Sequence, residues 1–238
     1  MDWFRGWFGP LYEELYAHRS GDEAMRQVEA LLRHCVALEG PVLDAGCGAG
    51  RHLQALRAMG KDAFGADLSA HLLTTAVGHG PVVHCDLFHA PFADGAFGLV
   101  ASFFTGFGYF QTPAQDEQFF AELTRLVRPG GWFFLDLPDP AHVRAHLVPF
   151  TESILDEHRV VHQTRFIEEG RVQKRIDVLV DGVKTEEHWE KVRLWERDAL
   201  EAMGHRNGLD VVACFGDSFG TPWVEGAARQ ALLWRKRE

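Results

Sequence analysis

Cysteine is sparse and scattered: Cys35, Cys47, Cys85 and Cys214 are the four present, and no two form a C-x-x-C pair. A disulfide framework and a structural zinc site are thereby disfavoured, and a reducing, cytoplasmic setting is expected. Positive charge is also short. Lys and Arg number 24 against 34 Asp and Glu, a formal charge of −10, whereas general binding to nucleic acid or an anionic membrane needs a basic surface. No apolar run approaches the length of a membrane span. The opening M-D-W-F-R-G-W-F-G-P lacks the apolar core and small-residue cleavage site of a signal peptide, so none is expected. The 13 histidines include no H-x-x-x-H pair accompanied by a third ligand, and no metal is expected.

What remains suits a protein with a substantial core. The 238 residues, 46% hydrophobic and 24% charged, fit one domain or one domain carrying an insertion. Apolar spacings of three and four predict helix over 11–38, through Leu11, Leu15, Val28, Leu31 and Cys35. Pro41-Val42-Leu43 reads as a short buried strand, and Leu53, Leu56 and Met59 as the inner face of a helix capped by Gly60. Further strands are expected over 62–67, 81–85 and 99–103, with a helix capped by Ser69 after the first of them. Thr112-Pro113-Ala114-Gln115 carries a capping box with proline at the first helical position. That helix is expected to stop at Pro129-Gly130-Gly131, and W-F-F-L-D-L, apolar on both faces, reads as a buried parallel strand. Strand and helix thus alternate to residue 137, the pattern of a doubly wound α/β sheet. From 159 to 195 the even spacing of Val172, Ile176, Val178 and Val180, with an Asp181-Gly182 turn, predicts antiparallel strands. A helix over 196–206 and strands over 209–215 and 230–235 complete the reading.

The chemistry centres on residues 43–52, L-D-A-G-C-G-A-G-R-H, a strand, a glycine-rich turn and a helix start in succession. Such a turn places backbone N–H groups and a helix N-terminus around a small ligand at the carboxyl edge of a parallel sheet. A phosphate-binding P-loop is excluded because G-K-[ST] is absent. The dinucleotide fingerprint G-x-G-x-x-G fails because its third glycine, counted from Gly46, falls on Arg51. Asp67 follows Asp44 by 23 positions, at the end of the second strand, where a carboxylate accepts both hydroxyls of a ribose. Asp86, after the third strand, offers an acceptor for the exocyclic amine of an adenine, with Leu87 and Phe103 as apolar faces for the ring. Asp44 itself suits either a ligand-side carboxylate or a helix cap.

Four blocks in order, V-L-D-A-G-C-G-A-G-R-H, G-A-D-L-S, C-D-L-F-H-A-P-F-A-D-G-A-F and L-V-R-P-G-G-W-F-F-L-D, resemble the class I S-adenosylmethionine-dependent methyltransferases. The resemblance implies a Rossmann-like, mostly parallel seven-stranded sheet with an antiparallel insertion after the fifth strand. It divides the chain into a helical cap over 1–38, a cofactor-binding core over 39–150, an insertion over the active site at 151–195 and a completion of the sheet over 196–238. It sets the loop from Asp44 through Ala45, Gly46 and Gly48 against the methionine part and ribose of S-adenosylmethionine. Asp67 with Leu68 would hold the ribose, Asp86 and Leu87 the adenine, and Phe103 the far side of the ring. The ends, W-F-G-P-L-Y-E-E-L-Y-A-H-R, F-F-T-G-F-G-Y-F and F-G-D-S-F-G-T-P-W, resemble a bacterial branch of largely unassigned substrate. Y-x-x-x-Y-x-x-R and G-Y-F are similar to patterns of aminosugar N-methyltransferases, which implies that Tyr16 and Arg19 close over the cofactor, Arg19 meeting its carboxylate. Two positions depart from these patterns: Gly98 stands where the family commonly has Asp, and Gln111 where the sugar enzymes often have His.

Three function classes fit this reading: a methyltransferase with a small-molecule N or O acceptor, a non-catalytic S-adenosylmethionine-binding subunit, and, least favoured by Arg51, a nicotinamide-dependent oxidoreductase. Methyl transfer draws its reactive centre from the cofactor, so no catalytic residue need stand out. Tyr109, His142, His146 and His188 lie in segments placed to overhang the cofactor, and none is singled out as a base. Phe104 and Phe107 read as core, Trp223 and Tyr109 as substrate-facing, and the edges of the antiparallel strands as a surface for a homodimer.

Overall fold

The structure, a computed structural model, describes residues 2–238. Two short helices, α1 (Phe4–Trp7) and α2 (Pro10–Leu15), precede a longer one, α3 (Gly21–His34). Then follow β1 (Val42–Ala45), α4 (Arg51–Ala58), β2 (Ala63–Asp67), α5 (Ala70–Ala76), β3 (Val82–His84), β4 (Phe97–Ser102), α6 (Pro113–Leu126) and β5 (Val127–Pro138). The helix α7 (Pro140–His146) leads into β6 (Phe150–Ile154), β7 (Arg159–Glu168), β8 (Arg171–Val180) and β9 (Val183–Arg193). The chain closes with α8 (Arg197–Arg206), β10 (Leu209–Phe215) and β11 (Arg229–Lys236).

Seven strands form the main sheet in the order β10-β11-β5-β4-β1-β2-β3. From β3 to β5 neighbours run parallel, and β11 alone opposes both of its neighbours. The pleat sorts side chains into two cores. Val100, Phe133 and Leu135 meet α6 and α8 on one face, while Leu99, Ala101, Trp132 and Phe134 meet α3 and α4 on the other. Each of these large buried side chains contributes roughly 1.5–3 kcal/mol through removal from water. The expected fold class is the observed one, a mostly parallel Rossmann-like sheet with an antiparallel excursion.

Several elements differ in extent from the sequence reading. The helix expected over 11–38 is two helices, because Ser20 accepts from the Glu23 N–H at 3.2 Å and starts α3 afresh. Tyr16 ends α2, so Arg19 sits in the break rather than on a helix face. Thr112 and Gln115 do form their capping box, but α6 ends at Leu126 and Pro129-Gly130-Gly131 lies inside β5. The register of β4 on β5 shifts between Phe97 and Leu99, where that segment is accommodated. The antiparallel sheet gains a fourth strand, β6, and runs β6-β7-β8-β9.

That second sheet packs on α1 and α2 and not directly on the main sheet. Trp7 joins Val161, Ile176 and Val178 in a small core, with Leu11 and Leu15 beside them. Arg159 grips Glu14 on α2 with two hydrogen bonds of 3.0 and 2.7 Å. The N-terminal helices are thus a middle layer between the second sheet and the edge of the first.

The glycine at 98 has a local cause. A Cβ there would stand 1.8 Å from the Glu39 carbonyl oxygen, so the backbone of 38–40 fills the space an Asp would need. Gly98→Ala and Gly98→Asp are both expected to cost about 3 kcal/mol, lowering Tm by roughly 8 °C in thermal unfolding. Unchanged melting of the alanine variant would show that residue 39 moves aside freely.

Candidate functional site

The chain leaves β1 toward β2 on one side and returns to β4 on the other, so the carboxyl edge opens between β1 and β4. Across that opening runs the loop from Gly46 to Gly50. Gly46, Gly48 and Gly50 have φ of +80°, +54° and +86°, a region in which side chains are strained. The loop is laced to the end of β2: Gly46 N–H donates to the Ala66 carbonyl at 2.8 Å, and Gly48 N–H to Asp67 Oδ2 at 2.7 Å. Asp67 Oδ1 accepts from Ser69 N–H at 2.8 Å. Burial raises the Asp67 carboxyl above its ordinary range, and the N–H groups of Ser69 and Gly48 oppose that rise.

A cavity of about 450 Å³ lies over this loop. Its floor is the glycine loop with Asp67, Leu68, Asp86 and Leu87, and its roof comes from α1, α2 and the break after them. Asp86 is tied to both sides: Oδ1 accepts from Phe88 N–H at 3.0 Å and Oδ2 from Arg5 Nη2 of α1 at 2.7 Å. The Phe8 carbonyl accepts from Ser69 Oγ at 2.6 Å, a second tie between roof and floor. Phe4, Phe8, Tyr12 and Tyr109 give the roof an aromatic inner surface.

At the other end of the cavity stands Arg19. Its Nη1 donates to the Tyr12 hydroxyl at 2.8 Å, and its buried Nε has no hydrogen-bond partner among the described residues. Tyr16 is anchored from behind, where its hydroxyl donates to Glu190 Oε1 at 2.9 Å and accepts from Lys174 Nζ. Lys174 and Glu190 pair at 2.5 Å, and the Trp7 indole N–H reaches the same carboxylate at 2.8 Å. Burial first, and Glu190 second, push the Tyr16 phenol far above its ordinary range, so it stays protonated.

Beneath the loop, Asp44 is 1% exposed and its Oδ2 has no partner among the described residues. Burial, then the charge of Asp67, push its carboxyl up to about 7. His52, on the first turn of α4, hydrogen-bonds through Nε2 to Gln27 Oε1 at 2.7 Å and stacks on Phe103 with centroids 4.2 Å apart. Burial, reinforced by Arg51, holds His52 well below the usual imidazole range and therefore neutral.

Of the residues given a cofactor-binding role in the sequence, all but Asp44 and Ala45 line this one cavity; those two lie below it at the end of β1. Phe103 lines it while stacked on His52, on the face of the sheet that packs α3 and α4. Tyr109 lines it too, with its hydroxyl donated to the Thr105 carbonyl. His142 and His146 stack on one another on α7 beside a separate hollow, and His188 packs on Trp7. None of these three histidines lines the cavity. Trp223 also stands elsewhere, donating to Asp139 Oδ2 at 3.0 Å under Arg197. Phe107 is core, as expected, but Phe104 lines the cavity. Tyr12 is a site residue that was overlooked, although it is the first letter of the Y-x-x-x-Y-x-x-R pattern. No residue of the second sheet lines the cavity.

Residues 43–135 match the family described as methyltransferase domain. No curated protein matches the chain by sequence. Among solved structures, an S-adenosylmethionine-dependent methyltransferase from Clostridium acetobutylicum superposes with a TM-score of 0.78 at 15% identity, over 96% of this chain and 97% of that one. The CcbJ methyltransferase from Streptomyces caelestis gives 0.76 at 16% identity, over 91% and 90%. The sugar N-methyltransferase KedS8 from a Streptoalloteichus species gives 0.74 at 18% identity, over 97% and 94%. These likenesses establish the fold, and the matched domain carries the loop and both carboxylates of the cavity floor. Residues 43–135 therefore carry a methyltransferase domain, and the chain has the fold of the S-adenosylmethionine-dependent methyltransferases, whose methyl donor is S-adenosylmethionine.

The residues present suit that donor, which is a nucleoside joined to an amino acid. One end of the cavity has carboxylates and an apolar Leu87, the other an arginine with free N–H groups, and the loop between them carries no side chain at its glycines. Among the described residues, no helix is long and apolar enough to cross a membrane.

The raised Asp44 carboxyl makes stability depend on pH with a definite sign. The folded state holds the proton up to about pH 7 and the unfolded chain only to the ordinary 3.8, so this group lowers stability as pH rises between those values. Asp44→Asn removes the penalty. Denaturant unfolding at pH 5 and pH 8 is expected to show the variant gaining about 2 kcal/mol on the wild type across that interval. An unchanged difference would mean that Asp44 is charged and partnered in the folded protein.

Proposed function

We propose that the protein transfers the methyl group of S-adenosylmethionine to a small-molecule amine or hydroxyl. The observation that carries this reading is the aromatic-roofed cavity of about 450 Å³ over the glycine loop, a volume in the range of small-molecule sites. Two structural neighbours, a sugar N-methyltransferase and an amino pentose methyltransferase, make amino sugars the first acceptors to try.

In this reading Asp67 holds the ribose hydroxyls, Asp86 and Leu87 the adenine, and Arg19 the amino-acid carboxylate, with Gly46 and Gly48 allowing close approach. Phe103, behind the loop, backs this wall. When bound, S-adenosylmethionine supplies an electrophilic methyl group for in-line displacement by the lone pair of the acceptor. The chain's own contribution is orientation and exclusion of water, which the roof of α1 and α2 provides. Of Tyr109, His142, His146 and His188, only Tyr109 lines the cavity. Burial raises its phenol well above the ordinary range, so it remains a hydrogen-bond donor at neutral pH rather than a base. An amine acceptor therefore reacts as the free amine.

The test is methyl incorporation from labelled S-adenosylmethionine into a panel of amino sugars, other amines and hydroxyl compounds, followed by mass spectrometry. Transfer to at least one small acceptor is expected, falling by at least about 100-fold in Asp67→Ala through loss of cofactor positioning. Tight cofactor binding with no transfer to any acceptor would overturn catalysis in favour of a binding subunit.

A further inference from the structure

Two consecutive phenylalanines follow β4, and they part company. Phe103 turns under the loop to His52, whereas Phe104 begins a turn that no hydrophobic pattern predicts. Phe104 and Thr105 have φ of +59° and +70°, a conformation that side-chain-bearing residues seldom adopt unless the surroundings enforce it. The enforcement is visible. Asp136 at the end of β5, 2% exposed, accepts from Phe104 N–H at 3.2 Å through Oδ2, and its carbonyl accepts from Thr105 N–H at 2.9 Å. Arg229, at the start of β11, pairs with Asp136 at 2.5 Å and reaches Thr105 Oγ1 at 3.3 Å.

This anchoring brings the Phe104 ring to the guanidinium of Arg19, with 4.0 Å from Cζ to the ring centroid. The Tyr16 ring lies at the same 4.0 Å from Cζ. Arg51 and Arg229 also approach the Phe104 ring, at 5.1 and 5.3 Å. A planar guanidinium flanked by two π faces keeps its N–H groups in one plane, free to bind edge-on. The Tyr12 hydroxyl takes one of them, and the rest are left for a ligand.

We propose that Phe104 is a positioning residue: pinned by Asp136 and Arg229, it clamps Arg19 against Tyr16 and so presents a pre-oriented guanidinium to the carboxylate of the cofactor. This rests on the reading of Arg19 given above. Phe104 itself touches no reacting atom. Its effect is specific to the amino-acid end of the ligand, which separates it from a residue that merely fills space.

The experiment is calorimetric binding of S-adenosylhomocysteine, which carries the carboxylate, and of 5′-methylthioadenosine, which lacks it. Wild type, Phe104→Leu, Phe104→Tyr, Arg19→Met and the double variant Arg19→Met/Phe104→Leu are compared. Phe104→Leu is expected to weaken S-adenosylhomocysteine about tenfold and to leave methylthioadenosine within about twofold. Phe104→Tyr keeps a π face and is expected to restore binding, and the leucine substitution should add nothing once Arg19 is gone. Equal loss for both ligands in Phe104→Leu, or undiminished loss in Phe104→Tyr, overturns the proposal alone, because wild-type binding would still stand. Failure of the wild type to bind either ligand overturns both the cofactor-site reading and the proposal.

Discussion

A half-buried guanidinium without a carboxylate beside it is costly, and the upper half of this molecule is arranged around one. Among the described residues Arg19 has a phenol, two ring faces and a buried, unpartnered Nε for company. An isolated charge in such a place must be stabilised by dipoles and π electrons or be met by a ligand. Each of the rings that meets it is fixed by a different part of the chain. Tyr16 is held by Lys174 and Glu190 of the second sheet, Phe104 by Asp136 and Arg229 of the first. The second sheet therefore acts on the cofactor site through its neighbours, without any of its described residues lining it. Its effect on the site runs through the tyrosine and through the clasp of Arg159 on Glu14.

The floor of the cavity has the opposite electrostatic character. Two carboxylates, Asp67 and Asp86, stand at the adenosine end, and their oxygens are already engaged by backbone N–H groups and by Arg5. Such engagement fixes their orientation before any ligand arrives. Beneath them Asp44 and His52 sit where burial drives each toward its neutral form, so the layer under the loop adds little net charge. The polarity of the site, acidic at one end and basic at the other, comes from the walls alone.

How much of this was readable in the sequence depends on how local the cause is. The glycine loop, Asp67 and Asp86 were readable because strand, turn and following residue are contiguous, and backbone requirements appear directly as residue types. The capping box at Thr112 was readable for the same reason. Phe104 was not, since F-F at a strand end looks like core and its left-handed backbone is imposed by Asp136, 32 positions later. Glu190 was not, because its partners Trp7 and Tyr16 are 183 and 174 positions away and a charged residue in an exposed-looking strand carries no sign of them. The break at Tyr16–Ser20 was obscured by apolar spacing that runs on across it, although S-G-D-E at 20–23 is a helix start in its own right.

The place of β11 has a consequence for how the molecule is assembled. Although it is the strand latest in the chain, it does not lie on the rim of the sheet but between β5 and β10, where Ala231, Leu232, Leu233 and Trp234 are wholly buried. The pairing of β11 with β5 joins residues about a hundred positions apart, a contact of the slow, long-range kind. Arg229 arrives with that strand, and with it the ion pair that secures Asp136. The left-handed turn at Phe104, inside the first Rossmann-like half, thus owes its anchor to the far end of the chain, and fraying of β11 would release it.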